Sequence, residues 1–214
     1  MAPGGRVTPC AFETEVFGRP VGKTSDPLCD KADWWLLHYR AQPGASPPGF
    51  RHVGTLVTLT IRGRGESTSC RPAVPEDIGS CREIAKSFRY DRFHADPRIP
   101  LEQANELKAR WIENAIRGRA EKVWMAEGGF LSVLPGGRID LICVEPKMRG
   151  RGVAKRLLHE AFRTYSSLTV GTQLANEESL RLYASFNAEE MGRLEDWHWC
   201  AEEGEDRQPG LHGG

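Results

Sequence analysis

The residues best suited to chemistry lie in the segment 138–162, RIDLICVEPKMRGRGVAKRLLHEAF. An apolar run ends at Val144, a short loop follows, and Gly150-Arg151-Gly152 leads into a stretch with a four-residue rhythm. Val153, Leu157 and Ala161, and beside them Ala154, Leu158 and Phe162, repeat at that step, which predicts a helix with one face on a sheet. Strand, glycine loop and helix together make a holder for phosphate. The first-turn amides of a helix have no internal partner, its dipole places about half a positive charge there, and glycine lets a diphosphate approach the backbone. Two common nucleotide loops are excluded. Gly152 is followed by Val153-Ala154 and not by the Lys-Ser/Thr of a Walker loop, and Lys155 stands where a dinucleotide fingerprint needs its third glycine.

A second informative segment is 168–190, LTVGTQLANEESLRLYASFNAEE. Asn176 is placed to cap a helix, Glu177 and Glu178 suit its positive first turn, and Leu180, Tyr183 and Ala184 share one face. Arg149, Gly152 and Ala154 spell Arg-x-x-Gly-x-Ala, which resembles the acyl-CoA pyrophosphate loop of the GNAT acetyltransferases, and the Asn-then-Tyr helix resembles that family's second motif. The resemblance implies acetyl-CoA as co-substrate. Its cofactor-binding set is Ile142, Cys143, Val144, Arg149, Gly150, Arg151, Gly152, Val153, Ala154 and Asn176, with Tyr183 as general acid. In that reading a neutral amine attacks the thioester carbonyl, strand amides near Val144 stabilise the oxyanion, and the phenol protonates the departing thiolate. The base that deprotonates the amine stays open among Asp91, His94, Asp140, Glu145 and water.

These residues need elements to hold them. The pattern predicts helices over 75–87, 100–118, 152–165 and 176–186, and strands over 51–62, 122–133, 138–144, 168–174 and 189–199, with a hairpin turn at 134–137. Asp33-Trp34-Trp35-Leu36-Leu37 reads as helical, and the Pro/Gly stretch 41–49 as a linker. The expected class is α/β: a GNAT fold, with a mixed, mostly antiparallel sheet flanked by helices. A smaller α/β unit over 10–66 is expected to shape the acceptor pocket, the catalytic domain spans 67–200, and the polar, Gly-rich tail 201–214 reads as disordered.

Bulk properties narrow the partners. The 214 residues carry 29 Lys plus Arg against 29 Asp plus Glu, so net charge points to neither nucleic acid nor membrane. No apolar run approaches the roughly 20 residues of a bilayer span, and the N-terminus lacks a signal core, so a cytoplasmic protein is expected. Six scattered cysteines without a C-x-x-C pair, and six histidines without ligand spacing, read as free thiols and no metal site.

The likeness extends beyond the CoA half. FETEVFG (12–18), GFRHVGTLVTLTI (49–61), FRYDRFHADPRIP (88–100), WIENAIRG (111–118) and VGTQLANEESLRLY (170–183) are similar, in order, to the TDP-fucosamine acetyltransferase family. That family N-acetylates the 4-amino group of dTDP-4-amino-4,6-dideoxygalactose. The resemblance implies a nucleotide-sugar substrate contacted by Phe93, His94, Trp111 and Asn114, and a homodimer. Two positions depart from it: Gly54-Thr55 replaces an acidic residue after Val53, and Leu182 replaces a basic residue before Tyr183. Independently of family, 86–122 gathers Phe88, Tyr90, Phe93 and Trp111 with nine cations against six acids, a composition suited to stacking a base and holding a diphosphate. Another small-molecule amine, a protein lysine, and a CoA-binding module without catalysis remain the alternatives.

Overall fold

The computed structural model describes residues 5–201, so the expected disordered tail lies, but for Ala201, outside the described residues. Ten strands and five α-helices follow in order among the described residues. The N-terminal part holds β1 (Val7–Pro9), α1 (Ala11–Phe17), β2 (Val21–Thr24), β3 (Leu36–Ala41), β4 (Arg51–Ile61) and β5 (Arg71–Pro72). Then come α2 (Ile78–Ala85), α3 (Leu101–Asn114), β6 (Lys122–Ala126), β7 (Gly129–Leu134) and β8 (Arg138–Val144). The chain ends with α4 (Val153–Ala161), β9 (Leu168–Gln173), α5 (Glu177–Ala184) and β10 (Glu189–Cys200).

All ten strands join one sheet in the order β1-β2-β3-β10-β4-β9-β8-β7-β6-β5. Seven of the nine pairings are antiparallel; β2–β3 and β8–β9 are parallel. The expected mixed, mostly antiparallel sheet is therefore present, with helices on both faces. Val153, Leu157, Leu158 and Ala161 of α4 and Tyr183 of α5 are buried with Val57, Leu131, Val133 and Val170 on one face. Cys81, Ala85 and Ile112 from α2 and α3 cover Phe130, Leu141 and Cys143. Phe17, Leu36, Phe93 and Leu107 fill a core farther along the sheet. Among the described residues no helix is long and apolar enough to cross a membrane.

Two readings change. The segment at Trp34-Trp35-Leu36-Leu37 is not helical: Leu36–Ala41 is β3, pairing parallel with β2 and antiparallel with β10. Two ladders satisfy its backbone, whereas so short a helix would leave most of its amides and carbonyls unpaired. The run 122–133 is also two strands, not one. They turn at Glu127-Gly128, where Gly128 has φ +72° and any Cβ would stand 2.4 Å from Met148 Cγ. Across the boundary expected at residue 66 the sheet is continuous, since β4 lies between β10 and β9.

One pairing positions the site. β8 and β9 are bonded only at Arg138↔Thr169 and Ile139↔Val170. Farther along, β8 stays with β7 and β9 stays with β4, so the two strands part and leave an opening at their C-terminal ends.

Candidate active site

A groove of about 640 Å³ lies at that opening. Its walls are Ile142, Cys143 and Val144 at the end of β8, the loop and first turn of α4, Asn176, Glu178, Ser179, Arg181 and Leu182 around α5, and 87–90 after α2. The loop begins with a 3₁₀ turn at Pro146–Met148, then passes through Gly150 (φ +73°) and Gly152 (φ +74°). A Cβ at Gly150 would meet nothing within 4 Å, so it is the left-handed backbone and not crowding that calls for glycine there. Gly152 is the N-cap of α4 and no side chain caps the helix. Val153, Ala154 and Lys155 line the groove with their uncapped first turn, the arrangement that favours an anion.

Of the expected cofactor residues, Ile142, Cys143, Val144, Arg149, Gly150, Gly152, Val153, Ala154 and Asn176 all line this groove. Arg151 does not; it is exposed, and its carbonyl accepts from Arg156 Nη1 at 2.9 Å. Arg149 acts partly as a pin: its Nε donates to the Val144 carbonyl at 3.2 Å and its Nη2 to that of Ser87 at 3.4 Å. Asn176 Oδ1 accepts from the Ser179 amide at 3.2 Å, the cap that its position predicted. Burial pushes the Cys143 thiol up, which keeps it neutral and a poor nucleophile. Tyr183 lies behind the groove wall, 2% exposed. Burial pushes its phenol well above the ordinary range, and its hydrogen-bond partner is the side chain of Ser179, which itself lines the groove.

The four residues expected to contact the acceptor are not gathered in this groove. Phe93 is a core residue, not a stacking platform: at 1% exposure its ring packs against Phe17, His38 and His198, with Arg92 over its face at 4.5 Å. His94 is held by Asp91 (Nδ1 to Oδ2, 2.6 Å) and Asn105 (Nε2 to Oδ1, 3.1 Å). Trp111 donates from Nε1 to both Asp140 oxygens at 3.0 Å, and Asp140 also pairs with Arg119. Asn114 is half-buried at the end of α3, where the chain enters a π-helical turn over Ala115–Arg119. The candidate bases are engaged as well. Burial pushes the Asp91 carboxyl up, but Lys108 and His94 more than offset it and hold it well below the usual range. Glu145 pairs with Lys147 at 2.9 Å.

Phe88 and Tyr90, read as aromatics suited to a nucleotide, do line the groove, whereas Ser87, Met148, Lys155, Ser179 and Arg181 escaped the sequence reading as groove residues. Ser179 carried a usable signal, since it stands four residues before Tyr183 on the same helix face. Lys155 carried one too, as a cation in the first turn of the helix that follows the glycine loop. Ser87 carried none, because only the packing of α2 on β8 brings it to the groove. The structure also assembles a group that no spacing revealed: Cys10, Glu13 and His38 place their donor atoms within 4.8 Å of one another.

With this geometry in view, comparisons with known proteins agree. Residues 83–188 match the acetyltransferase (GNAT) family, so the chain carries a GNAT acetyltransferase domain. The match covers β8, the glycine loop, α4, β9 and α5, the parts that build the groove. The chain is 31% identical over 135 residues to the spore coat polysaccharide biosynthesis protein SpsD of Bacillus subtilis (strain 168), covering 56% of this chain and 47% of that protein. It thus spans about half the length of that relative. Among solved structures it is similar to a GNAT-family protein from Novosphingobium aromaticivorans DSM 12444 (TM-score 0.55, 12% identity, 89% of this chain and 81% of the other). It is also similar to a functionally unknown conserved protein from Staphylococcus epidermidis ATCC 12228 (TM-score 0.58, 10% identity, 86% and 85%). At these identities the structural likeness establishes the GNAT fold alone.

Proposed function

We propose that the chain is an acetyl-CoA-dependent N-acetyltransferase acting on the amino group of a nucleotide-linked amino sugar, of the dTDP-4-amino-4,6-dideoxyhexose type. The observation that carries the reaction class is the groove between the parted ends of β8 and β9, floored by the uncapped first turn of α4. Acetyl-CoA suits it. The first-turn amides of 153–155 suit the diphosphate, Arg89, Arg149, Lys155 and Arg181 bring positive charge to the rim, and Ile142 and Val144 offer an apolar edge for the pantetheine arm. For the sugar, the support is the likeness to SpsD, a polysaccharide biosynthesis protein, together with the ordered resemblance along 12–183. The N-terminal unit, joined to the sheet through β4, is the part assigned to the acceptor.

The residues divide the work. The β8 end beyond Ile139 has no β9 partner, so its edge is available to polarise the thioester carbonyl and hold the oxyanion. Tyr183, behind the groove wall, is the proton source for the leaving sulfur through the Ser179 hydroxyl, which lines the groove: the sulfur takes the hydroxyl proton of Ser179 as Ser179 takes that of the phenol. The loop and cations position the thioester so that attack proceeds within one bound complex. Burial pushes the Cys143 thiol up and disfavours it as a nucleophile, which supports direct passage of the acetyl group from sulfur to nitrogen. A free-thiol assay with acetyl-CoA against a panel of dTDP-amino sugars, aminoglycosides, polyamines and Lys peptides tests the proposal. Turnover is expected with the sugar nucleotide; turnover with peptides alone refutes the substrate, and no binding of acetyl-CoA by calorimetry refutes the reaction.

A further inference from the structure

Away from the groove, Cys10 and Glu13 stand three residues apart at the start of α1, and His38 approaches them from β3. Sulfur, carboxylate oxygen and imidazole nitrogen lie mutually within 4.8 Å. His38 is 7% exposed, yet neither of its ring nitrogens has a hydrogen-bond partner. Its near neighbours are rings, His198 at 4.7 Å and Phe93 at 5.3 Å. Buried polar atoms in folded proteins are nearly always satisfied, so two orphan nitrogens on one side chain beside a thiol and a carboxylate call for an explanation. We propose that Cys10, Glu13 and His38 bind a divalent transition-metal ion of the zinc class, clamping α1 onto β3.

The donor set decides the class of ion. Thiolate and imidazole select zinc-like metals, whereas magnesium and calcium take oxygen ligands. Zinc bond lengths would set the three donors roughly 3.4–3.6 Å apart, so no pair need close by more than about 1.4 Å. Rotation of the half-buried Cys10 and Glu13 side chains supplies that contraction. Three protein ligands leave a fourth position for water. Arg92, whose Nη2 is 3.9 Å from Glu13, is the competing cation, and Lys23 also acts on Cys10 and His38. Thiolate and carboxylate together neutralise the ion, so these two cations would face an uncharged cluster.

The test uses the full chain, stripped with chelator and titrated first with Co²⁺ and then with Zn²⁺. One equivalent of Co²⁺ is expected to bind with a thiolate-to-cobalt charge-transfer band, Zn²⁺ is expected to displace it, and Zn²⁺ is expected to raise Tm. Cys10→Ser should abolish the band and Glu13→Gln should weaken Zn²⁺ at least tenfold, while Cys70→Ser changes neither. The wild-type cobalt spectrum decides even where a variant folds poorly. Absence of stoichiometric binding, or a band that survives Cys10→Ser, would overturn the proposal.

Discussion

Replacing Tyr183 by Phe separates chemistry from binding and from folding. The change deletes one hydroxyl from a side chain that is 2% exposed and bonded to Ser179. One hydrogen bond contributes about 0.5–1.5 kcal/mol net, and losing the hydroxyl also removes its desolvation cost. Ser179 lines the groove, so water can take over its lost bond. Stability should therefore change by no more than about 1 kcal/mol, and the KM for acetyl-CoA by less than about threefold, since the ring that packs against the core remains.

The kinetic effect should be much larger. From an ordinary phenol near 10 to a thiol near 8.5, proton donation is uphill by about 2 kcal/mol, and burial of Tyr183 adds to that cost. Against this, without the phenol the thiolate must leave unprotonated, and general acids typically contribute about 10²–10⁴ in rate. The expected result is a kcat reduced at least a hundredfold at unchanged KM, read by thiol release under saturating acetyl-CoA. The sign of the pH effect follows. A raised phenol pKa keeps the acid protonated, and any stability tied to the neutral phenol is present below the unfolded value near 10 and lost only as pH rises through the folded value. An activity loss at moderately alkaline pH would thus belong to another group. A folded Tyr183→Phe enzyme with kcat within about threefold of wild type refutes the assignment.

The remaining expectations concern the loop, the cations and the core. Gly152→Ala forces a side chain onto φ +74° with only Arg156 Nη1 nearby at 3.7 Å, so the backbone alone should cost about 1–2 kcal/mol in chemical denaturation and weaken acetyl-CoA in calorimetry. Lys155→Ala should weaken acetyl-CoA about 3–10-fold at low salt and less at high salt, with stability unchanged, because the lost interaction is an exposed, screened charge. Burial pushes the Asp96 carboxyl up, but Arg98 and His198 more than offset it and hold it well below the usual range. Its stabilisation is therefore present above the unfolded value near 4 and lost as pH falls below it, and Asp96→Asn should flatten acid unfolding followed by circular dichroism. Phe93→Ala should cost about 3–5 kcal/mol in a denaturant melt, as a core cavity does, before any effect on substrate is measured.

What the sequence disclosed, and what it hid, follows contact range. The loop 149–154, its helix, and the Asn176 cap were readable because consecutive residues carry the whole geometry: strand end, left-handed glycines, uncapped first turn. Ser87 to Tyr90 form a wall of the same groove yet stand more than fifty residues before Val144, and only the packing of Cys81 and Ala85 near Cys143 brings them there. Phe93 misled for a different reason. Aromatic rings among cations suit a nucleotide, but they equally suit a protein interior in which Lys108 lies 4.9 Å from Phe88 and 4.6 Å from Trp111, and Arg119 lies 5.4 Å from Trp111. Composition cannot separate these cases, because both satisfy the same quadrupole with the same charge. Pairing order was hidden most deeply. β4 is an alternating strand that any antiparallel partner would satisfy, yet it inserts between β9 and β10, more than a hundred residues downstream. With β4 on one edge of β9 and β8 on the other only at Arg138↔Thr169 and Ile139↔Val170, the opening between β8 and β9 rests on a strand order that no local pattern states.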